Sequence, residues 1–320
     1  TQGVSSAASD VYKRQSLLPI LIILFFSCEK PSNDCHLLSN SSEVDTSKLS
    51  RKVLVLGLDG VRSDAMNENN SPFMFALSAT DGVYFTDSHS VESITYSGPN
   101  WSSILTGVHY AKHGVTGNDF EHPNFACYPT FFDYIEALDS SIHTASIVNW
   151  TPINTHVLSS STDFSPQASV QDLEVYENVQ DLLINDSPFN ADVIFVHFDE
   201  LDAAGHAFGF SSDVPEYSST LNTLDNYVKN LFNTINTKRL AGEDWLIMVV
   251  SDHGGDGTGH GDAQNPYINQ TIFFAQHPSL VFKNQYTSSQ ADLAPTILDF
   301  LGISNPNFDC QTDGVSLFEE

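Results

Sequence analysis

Positive charge is scarce in this chain of 320 residues. Only 12 Lys and Arg stand against 40 Asp and Glu, for a formal net charge of -28 and an isoelectric point near 4.4. Polymeric nucleic acid is usually held by clustered Lys and Arg, so this deficit excludes a general nucleic-acid binder. Apolar runs are short, and none reaches the roughly 20 residues that cross a bilayer as a helix. No internal repeat is found, which excludes solenoid and propeller architectures. Cysteine is limited to four residues. What remains is ordinary globular composition, 41% hydrophobic and 11% aromatic, enough to fill a sizeable core.

The N-terminal segment is set aside before any fold reasoning. Residues 1–15 read like a translated cloning or sequencing-adapter scar. Residues 16–27, SLLPILIILFFS, form a 12-residue apolar stretch behind Lys13 and Arg14, with Cys28 immediately after it. The stretch is too short to span a bilayer and suits the apolar region of a signal peptide. Cys28 after the small Ser27 resembles a bacterial lipobox, in which the thiol is acylated and anchors the protein to the cell envelope. Phe25 and Phe26 depart from its commonest pattern, and the alternative is a secreted chain cut nearby. Cys35, Cys127 and Cys310 then allow one disulfide with one thiol left over, the pairing being open. Residues 29–50 are polar and Ser/Asn-rich, as expected of a linker to a domain at 51–320.

Strand and helix patterns alternate from Lys52 onward. Apolar, β-branched runs at 53–60, 142–148, 192–198, 246–251 and 271–275 read as buried strands. Between the third and fourth of these runs, Leu221, Leu224, Val228, Leu231 and Ile235 make one helical stripe. This alternation predicts a single α/β domain with a mostly parallel central sheet and helices on both faces. Ligands of such sheets bind beyond the carboxyl ends of the strands. There the sequence places Asp59, Asp202 with His206, and Asp252 with His253, followed by His260. Mixed carboxylate and imidazole donors are what Zn²⁺ or a similar borderline metal takes. Singly, each has a blander reading: Asp59-Gly60 as a turn, Asp202 and His206 as a helical pair, His253 as a core histidine. Ser97 precedes Gly98-Pro99 and a helix-compatible run from Asn100 to Thr106, where a hydroxyl meets the positive end of a helix; it suits a phosphate nucleophile or a helix cap.

Taken in order, Asp59-Gly60, Ser97-Gly98-Pro99-Asn100, Leu105-Thr106-Gly107, His113-Gly114, Asp202…Gly205-His206, Ser251-Asp252-His253-Gly254 and the closing Ala291-Asp292-Leu293-Ala294-Pro295-Thr296 resemble the alkaline phosphatase superfamily. Within it the chain is most similar to type I phosphodiesterase/nucleotide pyrophosphatase enzymes. The resemblance implies a phosphoric-ester hydrolase of small substrates, with two divalent metals, most often Zn, and a phospho-serine intermediate. By the same resemblance Asp59, Ser97, Asp252 and His253 hold the metal that activates the nucleophile. Asp202, His206 and His260 hold the other, with His277 as an alternative third ligand. Asn118, 21 residues after Ser97, matches the phosphate-orienting Asn, aided by N–H groups near Gly98. Thr95 is a second hydroxyl nearby, but only Ser97 has the nine-residue offset to Thr106 that the family nucleophile shows. Trp101 stands where formylglycine sulfatases carry Arg, and Gly98 stands where nucleotide pyrophosphatases commonly carry an aromatic. Packing is the expected role of Tyr96 and Trp101, and neither Arg62 nor Lys112 matches a phosphate-binding position. A phosphomonoesterase, a sulfatase-like hydrolase and an inactive surface-tethered binding module are the alternatives.

Overall fold

The computed structural model describes residues 43–48, 50–159, 161–166, 171–184 and 189–319. The scar, signal and lipobox readings, Cys28 and Cys35 all lie outside the described residues, as does the side chain of Cys310. Cys127 is disulfide-bonded. The strands are β1 (Glu43–Val44), β2 (Arg51–Leu58), β3 (Val83–Ser90), β4 (Thr144–Val148), β5 (Val193–Phe198), β6 (Asp244–Val250), β7 (Gln270–Gln276) and β8 (Ile303–Ser304). The helices are α1 (Pro72–Ser78), α2 (Ser97–Thr106), α3 (Tyr110–His113), α4 (Phe131–Leu138), α5 (Asp172–Ile184), α6 (Glu200–Phe208), α7 (Pro215–Leu240), α8 (Pro266–Asn269), α9 (Leu293–Leu301) and α10 (Pro306–Gln311).

Six strands form one sheet in the order β3-β7-β6-β2-β5-β4. β4, β5, β2 and β6 run parallel, and β7 pairs antiparallel with both β6 and β3. The parallel strands are apolar at nearly every position because both faces are covered. Along β2, Val53 and Val55 join the core under α2, α4 and α9, while Leu54, Leu56 and Leu58 join the core under α1, α5 and α7. Each such side chain, fully buried, contributes about 1.5–3 kcal/mol of transfer free energy. Each of the five sequence-read strands is present, as is the stripe on α7. β3 goes beyond that reading. The last residues of the polar 29–50 stretch also belong to the folded body, since Glu43–Val44 pair antiparallel with Ile303–Ser304.

Strand register gathers the polar residues at one edge of the sheet. Gly57 of β2 lies beside His197 of β5 and Val250 of β6, so the residues just past these three neighbouring strands emerge together. Gly60, at φ 74°, then turns the chain hard against α6, where an added Cβ would lie 2.9 Å from the Cα of Asp202.

Candidate active site

Three acids converge at that edge. Asp59 follows β2, Asp252 follows β6, and Asp202 sits in the first turn of α6, just after β5. Asp252 Oδ1 accepts the Gly60 and His253 N–H groups at 3.2 and 3.0 Å, which fixes the carboxylate and aims Oδ2 inward. Asp59 Oδ2 accepts from Trp101 Nε1 at 2.9 Å and from His197 Nε2 at 3.0 Å. The remaining oxygens, Asp59 Oδ1, Asp202 Oδ1 and Asp252 Oδ2, are buried without any hydrogen-bond partner. Orphaned buried carboxylate oxygens are costly, and three in one place make a donor set suited to a cation.

The histidines are oriented in one way. Nδ1 of His253, His260 and His206 donates to the backbone carbonyls of Gly254, Thr95 and Thr258 at 2.8, 2.8 and 2.9 Å. That turns each Nε2 toward the acids, the arrangement of metal-ligating imidazoles. His253 Nε2 lies 3.5 Å from Asp59 Oδ1 and 3.3 Å from Asp252 Oδ2. His206 Nε2 lies 3.3 Å from Asp202 Oδ2 and 3.1 Å from His260 Nε2, and His260 Nε2 is 4.0 Å from Asp202 Oδ1. Asp59, Asp252 and His253 make one candidate metal-holding group, and Asp202, His253 and His260 another. The donor set therefore fits divalent-cation binding, with His253 common to both groups. His277 is elsewhere: its Nε2 bonds Asp244 Oδ1 at the opposite edge of the sheet, so it cannot serve this site.

Charge follows from this crowding. Burial and the neighbouring carboxylates push the Asp59 and Asp252 carboxyls well above the ordinary range. The hydrogen bond with Asp202 pushes His206 up to about 9, and burial with the nearby His253 pushes His260 down to about 4. For Asp202, burial is outweighed by the bond with His206 and by His253, and its pKa falls.

Ser97 is the first residue of α2 and caps nothing; its Oγ lies 3.3 Å from His253 Nε2, at the rim of the acid group. The helix starts at Ser97 itself, ahead of the expected Asn100. Thr95 is committed, its hydroxyl donating to the His260 carbonyl. Asn118 Oδ1 accepts the Gly98 N–H at 2.7 Å. That N–H is therefore taken by Asn118, whereas it was expected among the N–H groups that hold phosphate oxygens. Any Cβ at position 98 would sit 2.7 Å from Gly117 O and 3.0 Å from Asn118 Oδ1, which is why no aromatic stands there.

Two partners were missed from sequence. His197, inside β5, holds Asp59, and burial keeps its pKa low and its ring neutral. Trp101, fully buried, holds the same oxygen and packs edge-on to His197 at 4.8 Å. Asp199 groups with Asp59 and His197, but His197 uses Nε2 on Asp59 and Nδ1 to accept from Trp150 N at 3.5 Å, so it acts as an orienting group. Tyr96, in contrast to Trp101, is 46% exposed.

The family model for Type I phosphodiesterase / nucleotide pyrophosphatase matches residues 53–292. The chain belongs to this family. Members of the phosphodiesterase family are metal-dependent. Its relatives include bis(5'-adenosyl)-triphosphatase ENPP4 of Pongo abelii, 26% identical over 254 residues that cover 74% of this chain and 53% of that protein. GPI ethanolamine phosphate transferase 3 of Schizosaccharomyces pombe is 24% identical over 299 residues, 86% of this chain and 31% of that one. The chain thus spans about half or less of the length of these relatives. Murine ectonucleotide pyrophosphatase / phosphodiesterase 5 shares the fold, with a TM-score of 0.64 at 15% identity over 84% of this chain and 100% of that one.

Proposed function

We propose that the chain is a metal-dependent phosphodiesterase that works through a phospho-Ser97 intermediate. The observation that carries this reading is Ser97 Oγ, 3.3 Å from His253 Nε2 at the rim of a nest of buried, unpartnered carboxylate oxygens. Asp59, Asp252 and His253, with Ser97, would hold one divalent cation, and Asp202, His206 and His260 the other. Zn²⁺ is the metal we assign, because imidazole nitrogens and carboxylate oxygens in equal measure suit it. When bound, the cations supply Lewis acidity that lowers the pKa of the Ser97 hydroxyl and neutralises charge on the departing oxygen.

The residues divide the remaining work. Ser97 Oγ gives its proton to solvent and bonds to phosphorus, while the P–O bond to the leaving alcohol breaks in line and that oxygen takes up a proton. Asn118, oriented by the Gly98 N–H on its Oδ1, offers Nδ2 to a phosphoryl oxygen. Water then attacks phosphorus, releasing Ser97 and a phosphate monoester. Trp101 and His197 keep Asp59 from rotating. Trp101, where a formylglycine sulfatase has Arg, is committed to Asp59, which disfavours the sulfatase reading.

The substrates are small phosphate esters. Export and anchoring through acylated Cys28 rest on the sequence of residues 13–28; among the described residues no helix is long and apolar enough to cross a membrane. The deciding experiment compares bis-para-nitrophenyl phosphate, para-nitrophenyl phosphate and para-nitrophenyl sulfate on the zinc-loaded chain, with a chelated control. Chelator-sensitive preference for the diester is expected, and preference for the monoester would move the assignment to a phosphatase. Ser97→Ala should lower turnover at least ~10³-fold, and acid-quenched wild type should carry phosphate on Ser97 by mass spectrometry. Unchanged turnover in that variant would overturn Ser97 as the nucleophile.

A further inference from the structure

His206 and His260 stand on separate elements. The first is on α6 and the second lies 54 residues later in the loop after β6, yet their Nε2 atoms are 3.1 Å apart. A tetrahedral zinc with ordinary Zn–N bonds spaces its donors about 3.3 Å apart, so the two imidazoles already stand as ligands of one small cation would. The loop does little to hold that distance by itself. Gly254-Gly255-Asp256-Gly257-Thr258-Gly259-His260-Gly261 has five glycines in eight residues, a composition with wide backbone freedom. On the other element, α6 ends at Phe208, and Gly209, at φ 121°, turns the chain off the helix.

Phe210 follows that turn, and its buried ring packs against both elements. An added Cβ at Gly205 of α6 would lie 2.3 Å from its Cε1, and one at Gly255 of the loop would lie 2.2 Å from its Cγ. The ring therefore rests directly on both backbones, and it can do so only because neither residue has a side chain. It also stands nearly perpendicular to both imidazoles, with centroids 5.4 Å from His206 and 6.2 Å from His260. The Phe210 backbone is held from two further points. Its N–H donates to Gly257 O at 2.8 Å, and its carbonyl accepts from Arg62 Nη1 at 2.6 Å. One residue thus joins the end of α6, the glycine-rich loop after β6 and the loop after β2. Close-packed rings of this kind set the separation of the backbones they touch, because neither side can approach further without overlap.

We propose that Phe210 is a positioning residue for the metal centre: its ring, seated on Gly205 and Gly255, fixes the distance between His206 and His260 and with it the affinity for a divalent cation. The inference rests on the reading that Asp202, His206 and His260 hold such a cation. The test measures zinc dissociation constants of the full chain by competition with a chromogenic chelator. Phe210→Leu should weaken one of two zinc ions about tenfold or more and leave the other unchanged, with the cooperative unfolding transition retained. In a His206→Ala chain, which has lost an imidazole at this end, Phe210→Leu should leave the remaining zinc unchanged. Gly255 is not left-handed, so its Ala variant tests crowding against the ring rather than backbone strain. Gly255→Ala alone should weaken the same zinc, and combined with Phe210→Ala it should add no more than about twofold to the loss that Phe210→Ala causes, since the two changes act on one contact. Unchanged zinc affinity in Phe210→Leu, equal weakening of both ions, or independent losses in the double variant overturn the proposal and leave the hydrolase reading intact. A chain that binds fewer than two zinc ions overturns the two-metal reading, and this inference with it.

Discussion

Trp101 stands four residues after Ser97 and reaches back to the carboxylate that faces it. Trp101→Phe keeps most of the ring volume and removes only the N–H that fixes Asp59 Oδ2. Loss of such an orienting bond typically costs about 10–100-fold in metal affinity, so competition with a chelator should show a loss of that order with the cooperative unfolding transition retained. An unchanged affinity would leave His197 as the sole restraint on Asp59. At this scale much of the candidate cluster was legible. Asp59, Asp202, Asp252, His206, His253 and His260 carry marks that survive in one dimension: each lies just past an apolar run or at a fixed step from such a residue. His197 and Trp101 carry none. Their bonds to Asp59 span 138 and 42 residues, and a histidine inside FVHF or a tryptophan inside a helix reads as core until the register is known. The bond from the Gly98 N–H to Asn118 went unread for the same reason, because the two meet only through the fold.

Helix α1 starts under a carboxylate from another element. Asp225, the buried acid of α7, accepts the N–H groups of Phe73 and Met74 at 2.9 and 2.8 Å and so satisfies the open end of α1. Asp225→Ala should destabilise the chain by about 1–3 kcal/mol, the usual cost of stranding buried donors, measured by urea unfolding, with metal affinity unaffected. A change below ~0.5 kcal/mol would mean that water replaces the carboxylate. The same elements show what periodicity conveys. The parallel strands were legible because burial on both faces leaves an uninterrupted apolar run. β3 escaped notice because its VYFTDSHS turns polar halfway, has an irregularity between Thr86 and His89, and pairs only at the edge with β7. Its position was set by β7, which no local pattern announces.

Across the whole molecule, two of the acids proposed to hold metal, Asp59 and Asp252, lose their protons less readily than ordinary carboxyls, while the third, Asp202, loses its proton more readily. Burial lifts the Asp59 and Asp252 carboxyls well above the ordinary range, and the bond to Asp202 holds His206 near 9, so a cation that enters at neutral pH must displace at least the His206 proton. Proton competition weakens as pH rises, so apparent zinc affinity should climb as pH approaches about 9, where His206 gives up its proton. Calorimetry in buffers of different ionisation enthalpy should detect the released protons. A flat profile would show that these groups have already given up their protons when the metal arrives. The two ends of the site also differ in their access to water. Asp59, Asp252 and His253 are wholly enclosed behind β2 and β6, strands with neighbours on both sides, whereas the side chain of His206 is 45% exposed. On the two-metal proposal, a cation held by Asp59, Asp252 and His253 would be surrounded by buried ligand side chains, whereas one held by Asp202, His206 and His260 would be freed when the exposed imidazole of His206 swings into solvent. The two sites should therefore empty in sequence under a chelator, a fast phase at Asp202, His206 and His260 followed by a slow one at Asp59, Asp252 and His253, and the protein should pass through a half-loaded form that persists long enough to be isolated.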